Sequence, residues 1–206
     1  RPGGLAIVSI LSCMFFAAIS GSGAATVAAI GGIMIPYMVK SGYDTGFSAA
    51  VNASAGGIGI IIPPSIPFVS YAVLTGTSVA ELFLGGITSG ILIGVCLIIA
   101  AILVSKKRGY KLGEKANWGE RGKAFVEAIP ALIMPLIILG GIYSGRFTAT
   151  ESSVVAVVYG LIVGIFVYRG LNKENLPKIF MDSAVSTAQI LLLIAGATLF
   201  GWILTN

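Results

Sequence analysis

Histidine, cysteine and charged residues are all scarce in this chain of 206 residues. Histidine is absent, which removes a common metal ligand and the side chain that ordinarily titrates near neutral pH. The two cysteines, Cys13 and Cys96, lie inside apolar runs, where they resemble small hydrophobic residues more than a disulfide or metal pair. Charged residues make up 10% of the sequence and hydrophobic residues 56%, whereas soluble domains carry about 25% charged residues. The composition therefore predicts an all-α, polytopic membrane protein.

Sequence motifs of catalysis are also missing. The chain has no Gly-rich phosphate-binding loop, no Ser/His/Asp set and no cluster with metal-ligand spacing. We therefore expect no enzyme activity and no cofactor.

The positive charge is concentrated in two connecting loops. Loop 105–123 carries seven Lys and Arg residues against two Glu, and loop 169–178 carries three against one. Basic connecting loops of membrane proteins stay in the cytoplasm, so both loops are predicted to be cytoplasmic. Contact with anionic lipid explains their charge, and no nucleic-acid partner is expected.

A polar interruption divides the first apolar segment, which we assign to residues 1–39. The run Leu5–Val39 has 35 residues and is broken by Ser20-Gly21-Ser22-Gly23, which leaves arms of 15 and 16 residues. Each arm reaches only ~22–24 Å as a helix, less than the ~30 Å hydrocarbon core. Irregular backbone at membrane depth survives only where protein buries it or a watery cavity touches it. The pattern predicts a re-entrant helical hairpin whose tip is a candidate binding site; the alternative is one long kinked helix.

A second interruption follows within residues 47–104. The apolar stretch Phe47–Thr75 contains Gly56-Gly57-Ile58-Gly59 and then Pro63-Pro64-Ser65-Ile66-Pro67. Proline has no N–H to donate and disfavours helix at the residue before it. The pattern predicts a discontinuous helix with an unwound centre, followed by a transmembrane helix over Leu82–Val104. The alternative is a proline-kinked structural helix.

Three further features organise the rest of the chain. Glycines recur every four residues at Gly86, Gly90 and Gly94, a spacing that favours close helix packing. Residues 124–168 contain two 20-residue spans joined by a short turn, which we interpret as a surface turn rather than a second membrane tip. Residues 169–206 supply the second basic loop and a last transmembrane helix.

Neither broken segment contains an acidic or a basic side chain. A proton-coupled carrier normally has a carboxylate within the membrane on its transport path. Hydroxyl, amide and freed carbonyl oxygens instead suit a hard monovalent cation such as Na⁺. The N-termini of half-helices offer partial positive charge to an anion. We therefore expect binding sites for an ion and an anion at these breaks.

These motifs resemble those of a known family. Four runs carry the resemblance: Phe15–Thr26, Ser41–Asp44, Gly56–Pro67 and Gly145–Glu151. Their sequences, which include Ser-Gly-Ser-Gly and Ile-Pro-Pro-Ser, are similar to those of the large membrane subunit of TRAP transporters, the DctM-like family. The similarity extends over nearly all 206 residues and implies an internal fragment of that subunit.

The resemblance implies an elevator-type transporter core in the bacterial inner membrane. Its implied activity is Na⁺-coupled import of organic acids, such as C4-dicarboxylates or sialic acids, which a periplasmic substrate-binding protein delivers. A small membrane subunit of the same transporter is the implied membrane partner. The expected Na⁺ site consists of Ser20, Gly21, Ser22, Gly23, Gly56, Gly57 and Gly59. The expected substrate contacts are Thr26, Asn52, Pro63, Pro64 and Ser65.

Two other functions fit the same residues. One is a different Na⁺-coupled carrier of the dicarboxylate or citrate type, and the other is a membrane scaffold subunit that does not transport.

Overall fold

A computed structural model describes residues 3–110 and 118–205 of the chain. In those ranges the chain is helical and contains no strand. Its helices are α1 Gly4–Ser20, α2 Gly23–Lys40, α3 Thr45–Gly56, α4 Ile66–Thr75, α5 Val79–Arg108, α6 Trp118–Tyr143, α7 Ala149–Val167 and α8 Leu176–Thr205. Among the described residues, α2, α5, α6, α7 and α8 are long and apolar enough to cross a membrane. The prediction of an all-α, polytopic membrane protein is confirmed.

Helices α1 and α2 form a hairpin with a sharp break at Gly21 and Ser22. Gly21 ends α1 in the left-handed conformation, with φ of 60°, and its N–H donates to the carbonyl of Ala17 at 2.9 Å. Ser22 then caps α2 by accepting a hydrogen bond from the N–H of Ala25 at 3.3 Å. The chain is therefore interrupted where the sequence predicts a tip.

Both ends of this hairpin lie beside the C-terminal end of α5. Gly3, just before α1, packs against Ser105, and Asp44, just after α2, forms an ion pair with Arg108 at 3.1 Å. The hairpin thus returns to the end of the bundle from which it started. Its depth in a bilayer stays a prediction.

Asp44 stabilises the turn between α2 and α3. Its carboxylate accepts a hydrogen bond from the N–H of Phe47 at 2.8 Å and so caps α3. This hydrogen bond, and then the guanidinium of Arg108, hold the pKa of the Asp44 carboxyl below its ordinary value. The rings of Tyr43, Phe47 and Tyr110 stack around the same point, so the α2–α3 turn is bound to the end of α5.

The second break separates α3 from α4. Helix α3 tightens into a 3₁₀ turn over Gly57–Ile60, and residues 61–65 then lie outside any helix. Ser65 caps α4 by accepting from the N–H of Phe68 at 3.4 Å. Pro67 falls in the first turn of α4, where a missing N–H costs no helical hydrogen bond. The unwound centre therefore lies at the Pro63-Pro64 pair.

A small hydrophobic core joins α1, α2, α3 and α5. Four of its seven buried members are alanine or cysteine, whose small side chains let the helices approach closely. The seven members are Ala6, Ile10, Cys13, Met38, Tyr43, Ala55 and Ala101. Cys13 is therefore a core residue, while Cys96 is exposed, and neither forms a disulfide.

Three helix boundaries described here differ from the predicted ones. Helix α5 continues to Arg108, because three cations in its last turn favour a helix C-terminus and Gly109, with φ of 68°, ends it. With α6 starting at Trp118, the predicted bounds of loop 105–123 are too wide, and its residues 111–117 lie outside the described ranges. Helix α8 likewise starts at Leu176, since Pro177 fits a first helical turn.

Helices α6 and α7 pack side by side after the turn at residues 144–148. Thr148 and Glu151 form a reciprocal capping box at the start of α7, with the Thr148 N–H donating to the Glu151 carboxylate at 2.8 Å. The sequence Thr148-Ala149-Thr150-Glu151 has the form that such a capping box requires.

Candidate functional site

The two breaks in the helices meet in space. The N–H of Ile66 donates to the carbonyl of Gly21 at 3.4 Å, so the first turn of α4 contacts the hairpin tip. A Cβ atom added to Gly21 would lie 2.5 Å from the carbonyl oxygen of Pro64. Only glycine permits this approach, because position 21 also has a left-handed backbone. The tip and the unwound segment therefore touch through their backbones.

The tip also packs closely on the 3₁₀ turn. A Cβ at Gly23 would lie 3.0 Å from the carbonyl oxygen of Gly56. One at Gly59 would lie 2.7 Å from the hydroxyl of Thr26 and 2.9 Å from the carbonyl oxygen of Ser22. Gly57 differs, because it is exposed and has open space where a side chain would extend. Six of the seven residues predicted for the ion site therefore converge, and Gly57 faces away.

Three uncharged oxygens cluster at the tip. The Thr26 hydroxyl donates to the carbonyl of Ser22 at 2.8 Å and lies 3.2 Å from the hydroxyl of Ser20. Ser20 Oγ also lies 3.3 Å from the carbonyl oxygen of Ser22. Thr26 is fully buried. Sequence reasoning assigned Thr26 to the substrate, but its hydroxyl lies within the group of oxygens that a hard cation favours.

Helix ends of both polarities surround this cluster. Helix α2 begins at Gly23 and helix α4 at Ile66, so two N-termini with partial positive charge lie near the contact. Helix α1 ends at Ser20 and the 3₁₀ turn at Ile60, which brings carbonyl-rich ends to the same place. The arrangement therefore offers oxygen atoms to a cation and partial positive charge to an anion.

The unwound segment is held in shape by its own side chains. The hydroxyl of Ser65 donates to the carbonyl of Ile60 at 2.6 Å, which bridges the gap between the 3₁₀ turn and α4. Ser65 and Pro63 are buried, whereas Pro64 is partly exposed. Of these predicted substrate contacts, Pro64 and Ser65 line the neighbouring cavity.

Asn52 lies away from the tip. Its amide oxygen accepts a hydrogen bond from the hydroxyl of Ser9 at 2.7 Å, and its amide nitrogen donates to the carbonyl of Ser48 at 2.8 Å. All three residues are fully buried. The amide thus links α1 to α3, and in this arrangement it faces neither the oxygen cluster nor the cavity.

A cavity of about 510 Å³ opens beside the tip. One wall consists of the tip and the unwound segment, through Ser20, Gly21, Pro64 and Ser65; the opposite wall comes from α6, α7 and α8. Its volume falls within the range of small-molecule sites, ~300–1,000 Å³. The residues that line it, all within the described ranges, are mostly apolar and include no charged side chain. The sequence did not reveal this cavity, because it depends on how the later helices pack against the tip.

Comparison with known proteins places the chain in a family. The family model described as "Tripartite ATP-independent periplasmic transporter, DctM component" matches residues 1–206. The isethionate TRAP transporter permease protein DctMQ of Oleidesulfovibrio alaskensis is 48% identical over 99% of the chain and 32% of its own length. The C4-dicarboxylate large permease protein DctM of Pseudomonas aeruginosa is 44% identical, and the sialic acid large permease protein SiaM of Vibrio cholerae is 37% identical. Each of these two matches covers 99% of the chain and 48% of the relative.

The chain therefore spans half or less of the length of these relatives. They are named as transporter permeases, in agreement with the expectation that the chain is not an enzyme. The full-length match to the family model and the identities of 37–48% confirm the resemblance noted from the sequence motifs. The chain belongs to the DctM component family of the tripartite ATP-independent periplasmic transporters.

Proposed function

We propose that the complete permease containing this chain imports organic acids together with Na⁺. The observation that carries the proposal is the backbone contact between the hairpin tip and the unwound segment, at Gly21 and Pro64. At that contact uncharged oxygens and two helix N-termini lie together. Broken helices of secondary transporters bind substrate and coupling ions at such places.

The Na⁺ ion is assigned to the oxygen cluster of the tip. Ser20, Ser22 and Thr26 supply two hydroxyl oxygens and one carbonyl oxygen within 3.3 Å of one another. The glycines at positions 56 and 59 allow the 3₁₀ turn to approach this cluster. A cation there needs no carboxylate, because hydroxyl and carbonyl oxygens replace its hydration shell.

The substrate anion is assigned to the cavity wall at the start of α4. There Ser65 and the start of α4, where the helix dipole places partial positive charge, line the space beside Gly21. The apolar opposite wall suits the carbon skeleton of an organic acid. Relatives of this chain are named for isethionate, C4-dicarboxylate and sialic acid, which supports a small organic acid as the proposed substrate class and leaves its identity open.

The proposed transporter has three components, as the word "tripartite" in the family description indicates. A small membrane subunit and a periplasmic substrate-binding protein complete it, in the bacterial inner membrane with the basic loops in the cytoplasm. Helices α1 to α5 form the moving core of an elevator mechanism. The shared hydrophobic core of α1, α2, α3 and α5 supports their movement as one body.

Uptake by the reconstituted transporter tests this proposal. The complete permease, its small subunit and its binding protein are placed in liposomes, and uptake of candidate acids is measured with and without an inward Na⁺ gradient. We expect uptake only with the gradient and the binding protein. Equal uptake with and without the Na⁺ gradient would refute Na⁺ coupling. Na⁺-driven uptake without the binding protein would favour the dicarboxylate or citrate type of carrier.

A matched pair of variants tests the site assignment. Ser20→Ala removes a hydroxyl from the oxygen cluster, whereas Ser41→Ala removes one that bonds only within its own turn, to the carbonyl of Tyr37. A transport role predicts that the first variant alone raises the Na⁺ concentration needed for uptake. Equal behaviour of the two would remove Ser20 from the ion site.

A further inference from the structure

Three glycines on α5 face other parts of the chain at very short range. A Cβ at Gly86 would lie 2.5 Å from the carbonyl oxygen of Ile61 and 2.5 Å from the ring of Phe68. One at Gly90 would collide with the side chain of Ile62 and lie 3.6 Å from its backbone nitrogen. Two of the three glycines therefore support the unwound segment itself. The sequence pattern predicted helix packing, but at these positions the partners are the unwound segment and, for Gly86, also Phe68 of α4.

The following residues of the unwound segment touch the hairpin tip. The carbonyl oxygen of Pro64 lies against Gly21, and the N–H of Ile66 donates to the carbonyl of Gly21. The segment therefore contacts α5 through its first residues and the tip through its last ones. It has little freedom to relax, because the hydroxyl of Ser65 also ties it to Ile60 at 2.6 Å. If α5 pushes the unwound segment aside, the segment therefore shifts its contact with the tip.

We infer that Gly86 and Gly90 are positioning residues that set the distance between the unwound segment and the oxygen cluster of the tip. This inference rests on the proposed Na⁺-coupled transport and adds residues that do not touch the ion. Both glycines are buried, as their contacts require. A methyl group at position 86 meets a backbone carbonyl, which cannot rotate away as a side chain can. A methyl group at position 90 meets a branched side chain, which yields only in part.

The same helix supplies two matched controls. Gly85 precedes Gly86 and has nothing within 4 Å of the position of an added Cβ. Gly94 is buried like Gly90, but its Cβ would meet the flexible side chain of Met14 on α1. Replacing any of these glycines by alanine raises helix propensity by the same amount. Differences among the four variants therefore report the contacts alone.

The test compares Gly85→Ala, Gly86→Ala, Gly90→Ala and Gly94→Ala in the complete reconstituted transporter. Relative to Gly85→Ala, we expect Gly86→Ala and Gly90→Ala to raise the Na⁺ concentration for half-maximal uptake about tenfold. Gly94→Ala should stay within about twofold, because Met14 can repack. Unchanged Na⁺ concentrations for Gly86→Ala and Gly90→Ala would overturn the inference.

A rescue experiment separates positioning from general damage to the fold. Ile62→Ala removes the atoms that a methyl group at position 90 would meet. The double variant Gly90→Ala/Ile62→Ala should therefore need no more Na⁺ than Ile62→Ala alone. A double variant that retains the full Gly90→Ala defect would count against the inference, even if Gly86→Ala does not fold.

Hydrogen exchange of the assembled transporter separates failure of this inference from failure of the proposed function. We expect faster exchange in residues 57–66 of Gly90→Ala than of Gly85→Ala, whatever ion drives transport. If wild-type uptake does not depend on Na⁺, the proposed function fails. The positioning role is then decided by the hydrogen-exchange rates together with the KM for the transported acid. Equal exchange in the two variants would refute that role directly.

Discussion

Replacing Gly21 by alanine should damage the ion site more than the same change at a matched helix end. Gly21 and Gly76 both end a helix in the left-handed conformation, with φ of 60° and 72°, and both donate to a carbonyl four residues earlier. Alanine in that conformation costs about 1–2 kcal/mol at either position. Only Gly21 has a close neighbour, since its Cβ would lie 2.5 Å from the carbonyl oxygen of Pro64.

The extra cost at Gly21 follows from that distance. Ordinary contact begins at 3.4 Å, so the tip and the unwound segment must separate by 3.4 minus 2.5, or 0.9 Å. Overpacking of this kind costs about 1–3 kcal/mol beyond the strain of the backbone. If this free-energy cost falls entirely on the Na⁺-bound state, half-maximal uptake requires about 5–150 times more Na⁺.

The assay is Na⁺-dependent uptake by the complete transporter in liposomes, with thermal unfolding of the same samples. Gly21→Ala should shift the Na⁺ dependence, whereas Gly76→Ala should lower the unfolding temperature alone. Equal Na⁺ dependence in the two variants would show that the contact between Gly21 and Pro64 does not define the ion site.

Three other predictions follow from the described contacts. Ser22→Ala removes the cap of α2 but keeps the Ser22 carbonyl, so by loosening the tip it should weaken the Na⁺ dependence of uptake and cost about 1 kcal/mol of stability; an unchanged Na⁺ response would show that the Ser22 hydroxyl does not support the ion site. Asn52→Leu leaves the buried hydroxyl of Ser9 without its acceptor, so it should destabilise the fold by about 1–3 kcal/mol in thermal unfolding. Uptake measurements should show no change in substrate preference for Asn52→Leu, and a changed preference would contradict the packing role. The pKa of Asp44 is lowered in the folded state, so the stability that its carboxylate contributes is present above the unfolded pKa of about 3.9 and is lost as the pH falls through the folded value. The difference in unfolding temperature between the wild type and Asp44→Asn should shrink below about pH 4, and a constant difference would contradict this linkage.

The interruptions of the helices were predictable because their causes are local. Proline at positions 63 and 64 removes backbone donors wherever the segment lies, and glycine at position 21 accepts a left-handed backbone without strain. The helix ends were less predictable. Whether α5 stops before or after its cluster of cations depends on the balance between solvation and the helix dipole, which hydropathy alone does not report.

The direction in which an individual side chain points could not be predicted in the same way. Segments that are apolar on all sides carry no periodic signal to show which face is buried. Asn52 therefore looked like a substrate ligand, although its amide bonds with Ser9 and Ser48. Gly57 looked equivalent to Gly59, but only Gly59 faces the tip. The cavity depends on contacts between segments far apart in sequence.

The buried amide of Asn52 has a mechanical consequence. Its hydrogen bonds link the first arm of the hairpin to the first half of the broken helix. The tip is therefore poorly suited to hinge away from the broken helix, because these hydrogen bonds hold α1 of the hairpin against α3. This linkage agrees with the proposed elevator mechanism, in which the whole block moves relative to its surroundings.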